Sequence, residues 1–95
     1  MQDIMENDKR YYEAVTLLGG RLATILKKVV SEHAAKICEV RLRCGQPITL
    51  YKGQSPLFLK ENGELVEKPF SGMVIATKID LFESFRALCA YSIHT

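Results

Sequence analysis

Between Lys36 and Cys38 the spacing of the apolar residues changes from the helical period to a period of two. A chain with that change must combine helix with sheet. On the N-terminal side, Leu22, Ile25, Leu26, Val29 and Val30 recur at i, i+3, i+4, i+7 and i+8, with Lys27, Lys28 and Glu32 on the other side. This spacing predicts an amphipathic helix from Arg21 to somewhere between Glu32 and Lys36. On the C-terminal side, Cys38, Val40 and Leu42 alternate with Glu39, Arg41 and Arg43, the pattern of a strand with one buried face.

Three further strands follow from turn chemistry. Gly45 and Pro47 punctuate the chain, Ile48–Tyr51 reads as a second strand, and Lys52-Gly53-Gln54-Ser55 reads as its turn. Leu57–Leu59 is a third strand. Asn62-Gly63 predicts a tight type I′ hairpin into a fourth at Glu64–Glu67. Pro69–Gly72 ends the meander, and Met73–Ala76 is expected to extend briefly. Thr77 followed by Asp80 fits a capping box with Asp in place of Glu. The helix it opens carries Ile79, Phe82, Phe85 and Cys89 on one stripe, widened by Leu81 and Leu88. Before the first strand, residues 1–8 read as a flexible leader. A short helix over 9–18, through Tyr12, Val15 and Leu18, is broken by Gly19-Gly20. The expected fold is a two-layer α+β domain over residues 9–95, an antiparallel meander of about four strands with an N-terminal and a C-terminal helix on one face.

Several function classes fall away on composition. At 95 residues the chain is one domain, and 47% hydrophobic with 25% charged residues is ordinary for a globular one. A net charge of +2 is too small to indicate nucleic acid by itself. No run of about 18 apolar residues is present for a membrane span, and polar residues 1–8 make no signal peptide. Cys38, Cys44 and Cys89 fit no zinc or CxxC spacing and read as reduced thiols, with Cys38 and Cys89 expected to pack as small hydrophobes. Only His33 and His94 could serve as bases, and no nucleophile, metal-ligand set or phosphate loop can be named beside them. The segment stops after a helix with no cap or tail, which reads as the boundary of a fragment.

Residues 39–47, Glu-Val-Arg-Leu-Arg-Cys-Gly-Gln-Pro, stand out against that background. Glu39, Arg41 and Arg43 fall on one strand face, each about 6.5–7 Å from the next. Two guanidiniums so placed can clamp a phosphate or a carboxylate. They can equally form a solvated face on which Glu39 partly neutralises Arg41. A third possibility is a basic stripe of Arg41, Arg43, Lys52 and Lys60 with Tyr51 or Phe58 as a stacking platform. That would be a standalone nucleic-acid or anion-binding module, interrupted by Glu39, Glu61, Glu64 and Glu67.

Glu39–Pro47 resembles the E-[IV]-R-[LI]-R-x-[GN]-x-P signature of the stage III sporulation protein AA family of endospore-forming Gram-positive bacteria. Leu17–Leu26 is similar to that family's leading helix, and Val74–Lys78 to the segment opening its next one. Tyr91-Ser92-Ile93-His94-Thr95 resembles its Tyr/Phe-Ser-[ILM]-Tyr-[TA] motif, with His94 in place of Tyr and Cys44 where Val is common. The motif residues are Glu39, Arg41, Arg43, Gly45, Pro47, Tyr91 and Ser92.

The resemblance implies a non-catalytic, PAS-like N-terminal domain ahead of an ATPase core similar to those of type II secretion and type IV pilus systems. The fragment itself would hold no cofactor. The full-length protein would use ATP and Mg, assemble as a homo-hexamer, and act from the mother-cell cytoplasm, peripheral at the forespore membrane. Its partners would be its own ATPase core, neighbouring subunits and membrane proteins of the stage III channel, with nucleic acid not expected. Arg41 and Arg43 would then sense nucleotide or contact the core.

Overall fold

The computed structural model describes the backbone of residues 4–94 and the side-chain surroundings of residues 7–90. In chain order the elements are α1 (Ile4–Thr16), α2 (Gly20–Leu26), α3 (Ser31–Ala34), β1 (Glu39–Arg41), β2 (Thr49–Lys52), β3 (Ser55–Leu59), β4 (Leu65–Val66) and α4 (Lys78–His94). Among the described residues no helix is long and apolar enough to cross a membrane.

The expected helix over 21–36 divides in two. Its last turn tightens as Lys28 N–H donates to the Ile25 carbonyl at 3.0 Å and Val29 N–H to the Leu26 carbonyl at 3.3 Å. Val30 then turns extended, at φ −70° and ψ 155°, and begins α3. Two features favour the break. The β-branched pair Val29-Val30 is a weak helix former. Carbonyls that a longer helix would engage are taken from outside: Tyr11 donates its hydroxyl to the Leu26 carbonyl at 2.7 Å, and Tyr12 donates to the Val29 carbonyl. Both tyrosines lie on α1, which starts at Ile4 rather than Lys9, so residues 4–8 are helix and not leader.

Sheet order is β1-β2-β3-β4, antiparallel throughout, as the meander requires. The strands shift slightly from their expected bounds: β3 starts at Ser55, and β4 shrinks to two residues. Register places Val40, Leu50 and Leu57 in one row, and Arg41, Thr49, Phe58 and Val66 in the neighbouring row on the opposite face. The first face builds the core. Leu50, Leu59, Ile48, Val74 and Ala76 meet Tyr11, Val15, Leu22, Ile25, Leu26, Val29 and Ala34 from the first three helices. The Asn62-Gly63 hairpin is not type I′, because Gly63 alone has positive φ, +93°. Gly63 N–H donates to the Lys60 carbonyl and Lys60 N–H to the Glu64 carbonyl, each at 2.9 Å, which gives a three-residue loop. A Cβ on Gly63 would also lie 2.6 Å from Lys28 backbone atoms, so the hairpin seats against the end of α2 only as glycine.

Met73–Ala76 extends as expected, and it closes the end of the sheet. Ile48 N–H donates to the Val74 carbonyl and Val74 N–H to the Leu59 carbonyl, both at 2.9 Å. The capping box then forms: Thr77 N–H donates to Asp80 Oδ2 at 2.9 Å, and Asp80 N–H to Thr77 Oγ1 at 3.1 Å. Arg21 Nη1 donates to the same Oδ2 at 2.6 Å, tying the start of α4 to α2.

The C-terminal helix departs most from expectation. Its stripe does not enter the core: Ile79, Phe82 and Phe85 are 60–70% exposed, and Cys89 is exposed too. Asp80, Ser84 and Ala87 face the molecule instead, and α4 packs on α2 rather than on the sheet. Close approach explains the choice. Gly19, at φ +62°, brings the α2 start so near that a Cβ there would lie 3.0 Å from the Cβ of Ala87. Only small residues fit that seam. Helices covering the sheet are therefore α1 to α3, not one helix from each end.

β1 departs in the same direction. Cys38 is exposed, with its thiol 3.3 Å from the Tyr51 carbonyl oxygen, while Val40 and Leu42 are only half-buried. Among the described residues β1 is an edge strand with a neighbour on one side alone.

Burial raises the pKa of the Tyr11 hydroxyl above its ordinary value near 10, with the neighbouring Tyr12 adding to the shift. The folded chain therefore holds that proton where the unfolded chain has lost it. This contribution to stability is full below about pH 10 and falls as pH rises beyond it, by up to about 1.4 kcal/mol per pH unit. Tyr11→Phe is expected to lower stability at pH 8 by about 1–2 kcal/mol, leaving the Leu26 carbonyl with only the longer bond from Val29 N–H. It should also flatten the decline above pH 10, which urea titrations at pH 8 and pH 11 will read.

Asp80→Ala removes a cap and an ion-pair partner together, with an expected loss of about 2 kcal/mol. Arg21→Ala should cost less than about 1 kcal/mol, because that guanidinium is 41% exposed. Equal losses in denaturant titrations would show that the cap contributes nothing beyond the pair.

Candidate anion-binding hollow on the open sheet face

Helices α1 to α3 cover one face of the sheet, and the described helices leave the row of Arg41, Thr49, Phe58 and Val66 open. Between the start of this row and the loop after β1 lies a hollow of about 310 Å³, lined by Arg41, Arg43, Gln46, Pro47, Thr49, Tyr51 and Phe58. Its floor is made by half-buried Thr49, Tyr51 and Phe58 on the two central strands, and its rim by the two arginines.

Arg41 is held from two sides. Its Nε donates to the Glu39 carboxylate on the same strand face. Its guanidinium carbon lies 4.4 Å from the centroid of the Tyr51 ring, the next strand's residue opposite Glu39, with Nη1 3.3 Å from the Tyr51 hydroxyl. The hydrogen bond that Arg41 donates to Glu39, and the charge of that carboxylate, raise the Arg41 pKa, with a smaller contribution from Tyr51. The cation thus sits over an aromatic ring, an arrangement that orients a guanidinium without removing it from water.

Arg43 stands past the end of β1, where a turn closes as Gln46 N–H donates to the Arg43 carbonyl at 3.0 Å. The described ion pairs engage Arg21, Arg41 and Lys60, and none engages Arg43. Hence one arginine of the motif is preset and paired, and the other is available. Together they can take a phosphate or carboxylate at the rim while a planar group lies over Phe58.

The motif divides by role. Glu39, Arg41 and Arg43 belong to the open face. Gly45 and Pro47 serve the fold: Gly45 N–H donates to the Ala76 carbonyl at 2.8 Å, and Pro47 bridges Ile75. Tyr91 and Ser92 lie outside the residues whose side chains are described, as does His94. The wider basic stripe is not assembled. Lys52 shares the face of Leu50 rather than that of Tyr51, and Lys60 pairs with Glu64 at 3.4 Å beside the ring of Phe70. His33 is on α3, away from this hollow, near Gly63 and Leu65. Among the described residues no group of three or more His, Cys, Asp or Glu side chains is placed to hold a metal ion.

The sequence offered Glu39 as a partner of Arg41 and Tyr51 or Phe58 as a stacking platform, and the structure puts Tyr51 under Arg41. That ring is ten residues away, and only strand register brings it there. Comparison with protein-family models, curated proteins and solved structures finds no match for the chain.

Arg41→Ala should leave the melting temperature within about 3 °C of the parent, since the side chain is exposed and no core residue leans on it. A scanning-calorimetry shift of 8 °C or more would mark Arg41 as a structural residue.

Proposed function

We propose that the chain is a non-catalytic N-terminal regulatory and interaction domain of a secretion-type ATPase. In the setting implied by its resemblance to the stage III sporulation protein AA family, that ATPase energises a channel between mother cell and forespore. One observation carries the reading: the charged half of the Glu39–Pro47 motif is spent on an open face. Residues that only held the fold would be turned inward or paired, and Arg43 is neither. Exposed Ile79, Phe82 and Phe85 on α4 support it, because contiguous apolar surface of this kind marks a contact with another surface. A meander covered by helices on one face is compatible with the PAS-like arrangement the resemblance implies. In this reading Arg41 and Arg43 meet nucleotide phosphates or acidic groups of the ATPase core, and the core supplies the P-loop, ATP and Mg. Partners are neighbouring subunits of a homo-hexamer and membrane proteins of the channel, reached from the mother-cell cytoplasm.

A second reading is favoured by the stacked Arg41–Tyr51 pair beside Phe58: a self-standing module for single-stranded nucleic acid or another anion. Two measurements separate them. The open reading frame should encode a P-loop after this domain, and Arg43→Ala in that full-length protein should lower ATPase turnover several-fold with the domain still folded. A reading frame without a P-loop overturns the first reading. Salt-sensitive binding of labelled single-stranded DNA, weakening between about 50 and 200 mM salt, would establish the second.

A further inference from the structure

The hollow on the open face is not the only concavity among the described residues. A groove of about 570 Å³ runs along the other side of β1, between that strand and α1. One wall is a continuous run of main chain from Ala35 to Val40, reaching Leu42. The other is a single face of α1 and the turn after it, where Asn7, Arg10, Tyr11 and Ala14 on the helix and Leu18 beyond it recur at helical spacing. α1 packs on α2 and α3 and stands clear of β1, so the strand edge borders open space instead of a helix.

We propose that this groove binds an extended peptide segment of a partner protein, which adds to the free edge of β1 as a fifth strand. Three observations converge. Among the described residues β1 is hydrogen-bonded to β2 alone, so alternate N–H and C=O groups along its other edge have no strand partner. Val40 and Leu42 are half-buried, with their remaining apolar surface turned to the same space, as is that of Ile37. An incoming strand would send every second side chain down between these residues and α1. Finally, Lys36 lines the groove at the start of the edge and is engaged by no described ion pair. Glu39, the acid near it, pairs with Arg41. The occupant that fits has apolar residues at alternate positions and a terminal acidic residue to meet Lys36, which a peptide with an acid at each end offers in either strand direction. A second copy of the chain is a poorer fit, because its own helical layer would arrive with its β1 and meet α1.

This inference rests on reading the chain as an interaction domain, but not on the ATPase. Its test needs no nucleotide and no downstream domain, so the two can fail separately. The probe is a fluorescein-labelled peptide, Glu-Val-Thr-Val-Thr-Val-Glu, titrated with the chain and followed by anisotropy. Saturable binding with Kd at or below about 100 μM is expected, as is slowed amide exchange at residues 39–42. Methylating alternate peptide nitrogens on the side facing β1, or exchanging both glutamates for lysine, should weaken binding at least tenfold. Ala14→Arg, an exposed site on the α1 wall, should do the same while leaving circular dichroism and melting unchanged. No saturation at millimolar peptide overturns the proposal, as does indifference to Ala14→Arg. Equal affinity for the methylated peptide would reduce the groove to an apolar pocket and also overturn it. Sedimentation that shows a dimer abolished by Ala14→Arg would assign the groove to a second copy instead.

Discussion

Two tyrosine hydroxyls settle where the first half of the chain goes. By taking the carbonyls of Leu26 and Val29, Tyr11 and Tyr12 end α2 where its own residues would have continued it, and they fix α1 across that end. A helix terminus leaves four carbonyls to be satisfied, and a buried one left alone costs about as much as a lost hydrogen bond. Tyr11 satisfies the last of them, that of Leu26, and Tyr12 takes the Val29 carbonyl in the turn beyond, so α1 is fixed across the end of α2. The turn after α2 becomes the seat for the Gly63 hairpin, and α1 is committed to the other helices rather than to the edge of the sheet. A groove beside β1 is the direct result.

Much of the sheet was legible because its signals are local. Period-two alternation, Gly53, the Asn62-Gly63 pair and the Thr77–Asp80 box each act within about four residues, and each produced its element. Helix lengths were less legible because what stops them is distant. Nothing within ten residues of Val29 announces that Tyr12 will cap it. The stripe on α4 misled for a different reason. Periodicity tells which residues share a face, but not which face finds the core. Gly19 lies so close to α4 that it admits Ala87, and Gly20 approaches Glu83. Those glycines read as a helix breaker, which they are, and their second role depends on a helix sixty residues away.

At the candidate site the same division holds. Alternation along the strand placed Glu39, Arg41 and Arg43 together, and the structure brings the two arginines to one hollow. Register across strands, invisible in a single stretch of sequence, supplied Tyr51 and Phe58 beneath them and sent Lys52 to the opposite face. The motif's Gly45 and Pro47 also hold the backbone of residues 75 and 76, so one nine-residue segment shapes the open face and locks the connection to α4.

β1 is thereby used on three sides. One edge pairs with β2, one row of side chains meets the core, and the other carries the arginines over Tyr51. Its second edge remains, and a strand of three residues is short enough that this edge does not invite indiscriminate pairing. The Glu39–Arg41 pair spans the open row directly above that edge. A strand added alongside would place its own outward side chains next to this pair, within cross-strand reach. An acid there competes with Glu39 for the guanidinium, and a base competes with Arg41 for the carboxylate. A strand in the groove would therefore act on the charge presented by the open face, through the one exposed Glu39–Arg41 pair.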